Sequence, residues 1–106
     1  MKTYKGVIEG PYEWKVFVVE DGVERPLEHH VYHSPDGHSW GYGGSGPSEL
    51  AKDILWDLFG KQPAPNVYQS FKWDYIASLS MREGFELEGT DILAWYATWP
   101  KEDAHG

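Results

Sequence analysis

Glu13-Trp14-Lys15-Val16-Phe17-Val18-Val19-Glu20-Asp21-Gly22-Val23 is the stretch on which the fold turns. Its apolar residues alternate, with Trp14, Val16 and Val18 on one face, which is the period of a half-buried strand. Asp21-Gly22 follows at once, and both residues tolerate the positive φ that a type I′ hairpin turn demands. The chain is therefore expected to double back into a return strand from Val23 to about Val31, with Pro26 marking an edge or a bulge. Upstream, residues 2–8 alternate weakly and lead to a Gly10-Pro11 turn, supplying another antiparallel partner.

Downstream, Ser34-Pro35-Asp36-Gly37 reads as a second turn and His38 to Tyr42 as a short strand. A helix follows, because Leu50, Ala51, Ile54, Leu55, Leu58 and Phe59 recur along one helical face. Pro47 suits its first turn, Glu49 its positive dipole end, and Gly60 its stop. After the linker Lys61-Gln62-Pro63-Ala64-Pro65, Asn66 and Gln69 form a capping-box pattern opening a second helix through Val67, Phe71, Tyr75, Ile76 and Leu79. Gly84 breaks the chain and Phe85-Glu86-Leu87-Glu88 is extended. Thr90 is placed to cap a last helix bearing Ile92, Leu93, Tyr96 and Trp99, which Pro100 ends. The expected fold is α+β: a small antiparallel meander of three to four strands, then about three helices packed on one face, in a single domain 1–106 with residues 101–106 as a frayed tail.

A chain of 106 residues buries roughly 65% of its unfolded surface on folding, enough for a core without staples. There are no cysteines, which removes disulfides, thiolate metal sites and thiol nucleophiles, and fits a reducing cytoplasm. No apolar run approaches the ~20 residues of a membrane helix, and the N-terminus lacks a signal-peptide apolar block, so a soluble protein with no membrane partner is expected. Seventeen acidic against nine basic residues give a net charge of −8, a poor surface for duplex nucleic acid. Six Trp, seven Tyr and four Phe are more aromatics than so small a core hides, so some are expected at a pocket or interface.

Candidate site residues concentrate between His33 and Ala51. Gly41, Gly43 and Gly46 satisfy G-x-G-x-x-G between a predicted strand and a helix, and Gly41 to Ser48 nearly satisfies a P-loop. Pro47, however, stands where the P-loop lysine belongs, and a proline-rich linker occupies the place of the acidic residue a dinucleotide fold requires. The physics shared by those motifs remains: glycines turn backbone N–H groups toward a ligand, and a helix start adds positive potential. Ser45 and Ser48 can add hydroxyl donors, and Trp40 and Tyr42 a stacking surface. The competing reading is a tight strand-to-helix connection with Trp40 and Tyr42 in the core. Gly43-Gly44-Ser45-Gly46-Pro47 also approaches a nucleophile elbow, but Pro47 replaces its last glycine and the chain is short for a hydrolase sheet.

His29, His30, His33 and His38 fall within ten residues and invite a metal reading. On a strand, His29 and His33 share a face roughly 13 Å apart, too far for one ion. Only His33 and His38 would face each other across the turn, with Asp36 as a further ligand. No metal and no cofactor is assigned on these grounds, and His33 is read as support for the glycine loop.

The run His33-Ser34-Pro35, Gly37, Trp40-Gly41-Tyr42-Gly43-Gly44-Ser45-Gly46-Pro47 and Leu50-Ala51 resembles a family of uncharacterised phage, bacterial and archaeal proteins, domain of unknown function 6166. Tyr4-x-Gly6, Phe71-Lys72, Ile92 and Trp95 extend the resemblance over most of the chain. Departures are His38, where the family carries an aromatic residue, and Lys52-Asp53, where its helix is more apolar. The resemblance implies small viral or prokaryotic cytosolic proteins and no activity. Function is expected to be non-catalytic binding of a phosphorylated or nucleotide-like small molecule, in a phage setting the sequestering of a nucleotide-derived defence signal. The site would be His33, Trp40, Gly41, Tyr42, Gly43, Gly44, Ser45, Gly46 and Ser48, in a homo-oligomer. The alternative is an acidic inhibitor or adaptor docking on a basic host protein.

Overall fold

The computed structural model describes residues 1–11, 13–31 and 37–99; residues 12, 32–36 and 100–106 lie outside it. Strands β1 (Lys2–Ile8), β2 (Trp14–Glu20) and β3 (Val23–Pro26) form the expected meander. A fourth strand, β4 (Phe85–Glu88), returns after the helices and pairs antiparallel with β1, giving the sheet order β3-β2-β1-β4. The helices are α1 (Ser45–Phe59), α2 (Pro65–Phe71), which runs on into a π-helical turn (Lys72–Ile76), and α3 (Gly89–Thr98). The fold class is α+β, as read.

The hairpin turn behaves as its chemistry requires. Asp21 has φ 54 and Gly22 φ 78, both left-handed. Register then places Tyr4 opposite Val18 and Gly6 opposite Val16 on one side, and the same two residues opposite Leu87 and Phe85 on the other. This face is buried, and Leu50, Ala51, Ile54, Leu55, Phe71, Ile76 and Ile92 complete the core against it. Gly6 is there for clearance: a Cβ would stand 2.2 Å from Phe85 Cε2. Phe85 in turn packs edge-on against Trp40, whose other neighbour is Trp14 at a centroid distance of 4.7 Å.

Five local expectations are corrected. The return strand stops at Pro26 and does not reach Val31, because the His30 backbone is engaged by side chains of α1 in place of a neighbouring strand. No strand covers the described part of the His38–Tyr42 stretch. Ala64 is the N-cap of α2 with Pro65 at its first position, so Asn66 is inside the helix and no capping box forms. Glu88 caps α3 in place of Thr90. Glu49 sits a full turn inside α1, wholly buried, and not at a solvent-facing dipole end. The stop at Pro100 and the tail lie outside the described residues.

Helix α1 is tied to the sheet by Asp57. Its carboxylate accepts from Tyr4 Oη at 2.7 Å, Arg25 Nη2 at 2.8 Å and Lys2 Nζ at 3.2 Å. Partial burial alone pushes this carboxyl up, but the three donated hydrogen bonds outweigh it and hold the group below the usual carboxylate range. A lowered folded-state value contributes stability above the ordinary carboxylate pKa, and that stability is lost as pH falls through the lower, folded value. Asp57→Asn should therefore lower stability by about 2 kcal/mol at neutral pH and flatten the acid limb of a urea-midpoint-against-pH profile. Gly6→Ala, which drives a methyl into Phe85, should cost about 1–3 kcal/mol in the same urea assay.

Candidate functional site

The glycine-rich loop is packed by side chains at each of its turns. Gly41 alone among its glycines is left-handed, at φ +90; its N–H donates to Ile76 O at 3.0 Å, and a Cβ would meet Met81 and Leu79. Trp73 lies on Gly43, the Tyr42 ring on Gly44, and Ser39 Oγ with Tyr42 Oη on Gly46. Trp40 is fully buried and donates through Nε1 to Glu83 O at 2.9 Å. Ser48 is buried too, its hydroxyl donating to Gln69 Oε1 at 3.2 Å and its N–H to Gly44 O at 3.1 Å. Tyr42 and Ser45 are exposed beside the helix start, where the N-cap is Gly44, a residue with no side chain to cap the first amides. Of the residues singled out in the sequence, Tyr42, Gly43, Gly44 and Ser45 come together at one surface, while Trp40, Gly46 and Ser48 are buried. His33 lies outside the described residues.

A second locus was not visible as a site in the sequence. Glu49, Lys52 and Asp53, on the side of α1 away from the apolar stripe, are each 0% exposed. Burying three charges on one helix requires partners, and the segment 29–38 brings them. Lys52 Nζ lies 3.1 Å from Glu49 Oε1 and 3.3 Å from Asp53 Oδ1, and donates to the carbonyl of His30. His29 Nε2 donates to Glu49 Oε2 at 2.9 Å, His30 Nδ1 to Asp53 Oδ1 at 2.9 Å, and His38 Nε2 to Asp53 Oδ2 at 2.6 Å. The His30 ring stacks on Trp56 at a centroid distance of 3.6 Å. The His29 and His38 rings meet edge to face at 5.0 Å.

The strand-spacing argument against a histidine cluster thus fails at its premise, since residues 27–31 form no strand and His38 meets His29 and Asp53. The missed residues are Glu49, Lys52 and Asp53. Their signal was present as an unusual Lys-Asp pair in the helix, but helical periodicity assigns such residues to solvent.

In front of the histidines lies a cavity of about 430 Å³. Trp14, Val16, Phe17 and Leu27 line it together with His29, His38 and Lys15. A hydrogen bond to Glu9 at 2.8 Å holds the Lys15 ammonium charged, raising its pKa.

A sequence profile for a family of unknown function, DUF6166, matches residues 4–98, which takes in the hairpin, the glycine loop, every helix and β4. The chain belongs to that family. No curated protein and no solved structure matches it. Among the described residues, no helix of this family member is long and apolar enough to cross a membrane.

The buried network generates a stability prediction. Lys52→Met leaves Glu49 and Asp53 facing each other without their shared cation and should cost about 3–5 kcal/mol, read as a lower urea midpoint at unchanged slope. The double variant Glu49→Met/Lys52→Met should cost less than the sum of the two single changes, because each single change strands a charge that the double removes.

Proposed function

We propose that this protein is a non-catalytic binding module for a small molecule that joins a flat apolar ring to an acidic group. The observation that carries this is the cavity itself, lined by aromatic and aliphatic side chains together with two imidazoles and a lysine. Its volume of about 430 Å³ is that of a ligand pocket, and its anatomy, mostly apolar with a few convergent polar groups, is the usual one. Trp14 and Phe17 suit a ring, and His29, His38 and Lys15 suit the acid. Binding rather than turnover fits the chemistry, because Glu49, Lys52 and Asp53 are covered and engaged with protein partners. A nucleotide meets the description, and in a phage setting such a module would sequester a nucleotide-derived signal in the host cytoplasm.

A second reading keeps the ligand at Gly41–Ser48, favoured by a helix start whose N-cap, a glycine, has no side chain to cap the first amides. Titration calorimetry against nucleoside monophosphates, cyclic dinucleotides and ADP-ribose derivatives separates the two. The pocket reading expects a ligand whose affinity falls at least tenfold in Phe17→Ala and His29→Gln and is unchanged in Ser45→Ala. The opposite pattern assigns the loop. Silence across the panel removes both and leaves the acidic adaptor, which a pull-down with the −8 chain from host lysate tests. Analytical ultracentrifugation checks the expected pairing of subunits.

A further inference from the structure

Three side chains beside the pocket, two of which line it, have the composition of a metal site. One ligand atom each from His29, His38 and Asp53 lie within 4.8 Å of one another. Two imidazoles and one carboxylate, with a coordination position left open, suit a first-row divalent ion such as Zn²⁺ or Fe²⁺. We propose that His29, His38 and Asp53 bind one such ion per chain, its open position facing the cavity.

The surroundings favour this over a purely structural network. Asp53 is fixed in orientation: Oδ1 is held by His30 Nδ1 at 2.9 Å and Lys52 Nζ at 3.3 Å, the His30 backbone N–H reaches both oxygens at 3.3 Å, and Oδ2 meets His38 Nε2 at 2.6 Å. A carboxylate pinned in this way presents Oδ2 in a fixed direction, as ligating carboxylates are. Glu49 Oε2, 2.9 Å from His29 Nε2, orients that ring in the manner of the carboxylates that back metal-bound histidines. An ion with bonds of about 2.0–2.1 Å needs its ligand atoms about 3.3 Å apart in a tetrahedral site. From 2.6 Å, His38 and Asp53 would part by about 0.7 Å to admit it, and the ligand atoms farthest apart, within 4.8 Å, would close by up to about 1.5 Å. His38 is not in regular secondary structure and can supply that movement.

A dication held there would add positive charge beside the cavity that His29 and His38 line. The same site that takes the metal would then select an acidic ligand from the cavity. This last step rests on the pocket reading; the metal site itself does not.

The test uses the full chain stripped with EDTA, titrated with ZnCl₂ by calorimetry and with Co²⁺ by visible absorption. One ion per chain and the intense Co²⁺ bands of a four-coordinate site are expected, together with a Tm increase that EDTA reverses. His29→Gln and His38→Gln should each weaken Zn²⁺ at least 100-fold, with His105→Gln in the tail as the unaffected control. Absence of saturable binding overturns the proposal, as does binding that survives both glutamine variants. Should either variant fail to fold, imidazole ¹⁵N spectra of the wild-type chain decide the matter, because Zn²⁺ must shift His29 and His38 and a site elsewhere would leave them in place. A nucleotide that binds equally with and without EDTA would leave the pocket standing and overturn the metal's part in selecting the ligand.

Discussion

The fold is organised around the cost of burying Glu49, Lys52 and Asp53 on one helix. Charges taken out of water carry a penalty of several kcal/mol each unless hydrogen bonds and opposite charges replace the lost hydration. Here the replacements come from a segment that would otherwise extend β3. His30 gives its N–H to Asp53 and its carbonyl to Lys52, and with those groups committed to α1 it cannot take part in a ladder. Leu27 makes the last backbone bond to β2, to Val16 O at 2.9 Å, and beyond it the chain leaves the sheet to lie along the helix. The shortness of β3 and the polar side of α1 are therefore one fact.

Such a network is a poor way to gain stability. An apolar set of similar volume is often neutral or better, so a buried ionic cluster is weak support for a stabilising role and a reasonable marker for chemistry. The contrast with Asp57 is instructive. That carboxylate sits on the same helix, joins Lys2, Tyr4 and Arg25 at the sheet, and functions as a clamp between the two. Glu49 and Asp53 hold histidines that open onto a pocket.

Much of the architecture is legible in the sequence. The Trp14–Glu20 alternation, the Asp21-Gly22 turn, the α1 apolar stripe and the Gly60 stop are local properties, and local physics sets them. The capping assignments for α2 and α3 go astray by a residue or two because several residues near each start have the right chemistry, and packing selects among them. The site is hidden for a different reason. Lys52 and Asp53 read as solvent-facing because periodicity counts only apolar residues. What buries them is contact with residues 15 to 23 positions away, across an irregular segment whose path no period describes. The histidines are conspicuous in the sequence, but the acid that His30 and His38 share is not, and the strand expected through residue 31 ends at Pro26.

The glycine loop and the histidine cluster also prove to be parts of one arrangement. Gly46 has no side chain, and Ser39 Oγ occupies the space a Cβ would take, at 1.8 Å from that position. Gly44 admits the Tyr42 ring in the same way, and the Ser39–Tyr42 hydrogen bond at 2.8 Å closes the pair. The effect is to press residues 39–42 onto the first turn of α1. Trp40 then drops into the core between Trp14 and Phe85, and the residue two before it, His38, is delivered to Asp53 two turns further along the helix. A long glycine-rich signature invites a reading in which the backbone itself grips a ligand. In this chain the glycines perform a geometric task that any use of His38 would need, so the most recognisable part of the sequence supports the least recognisable part of the site.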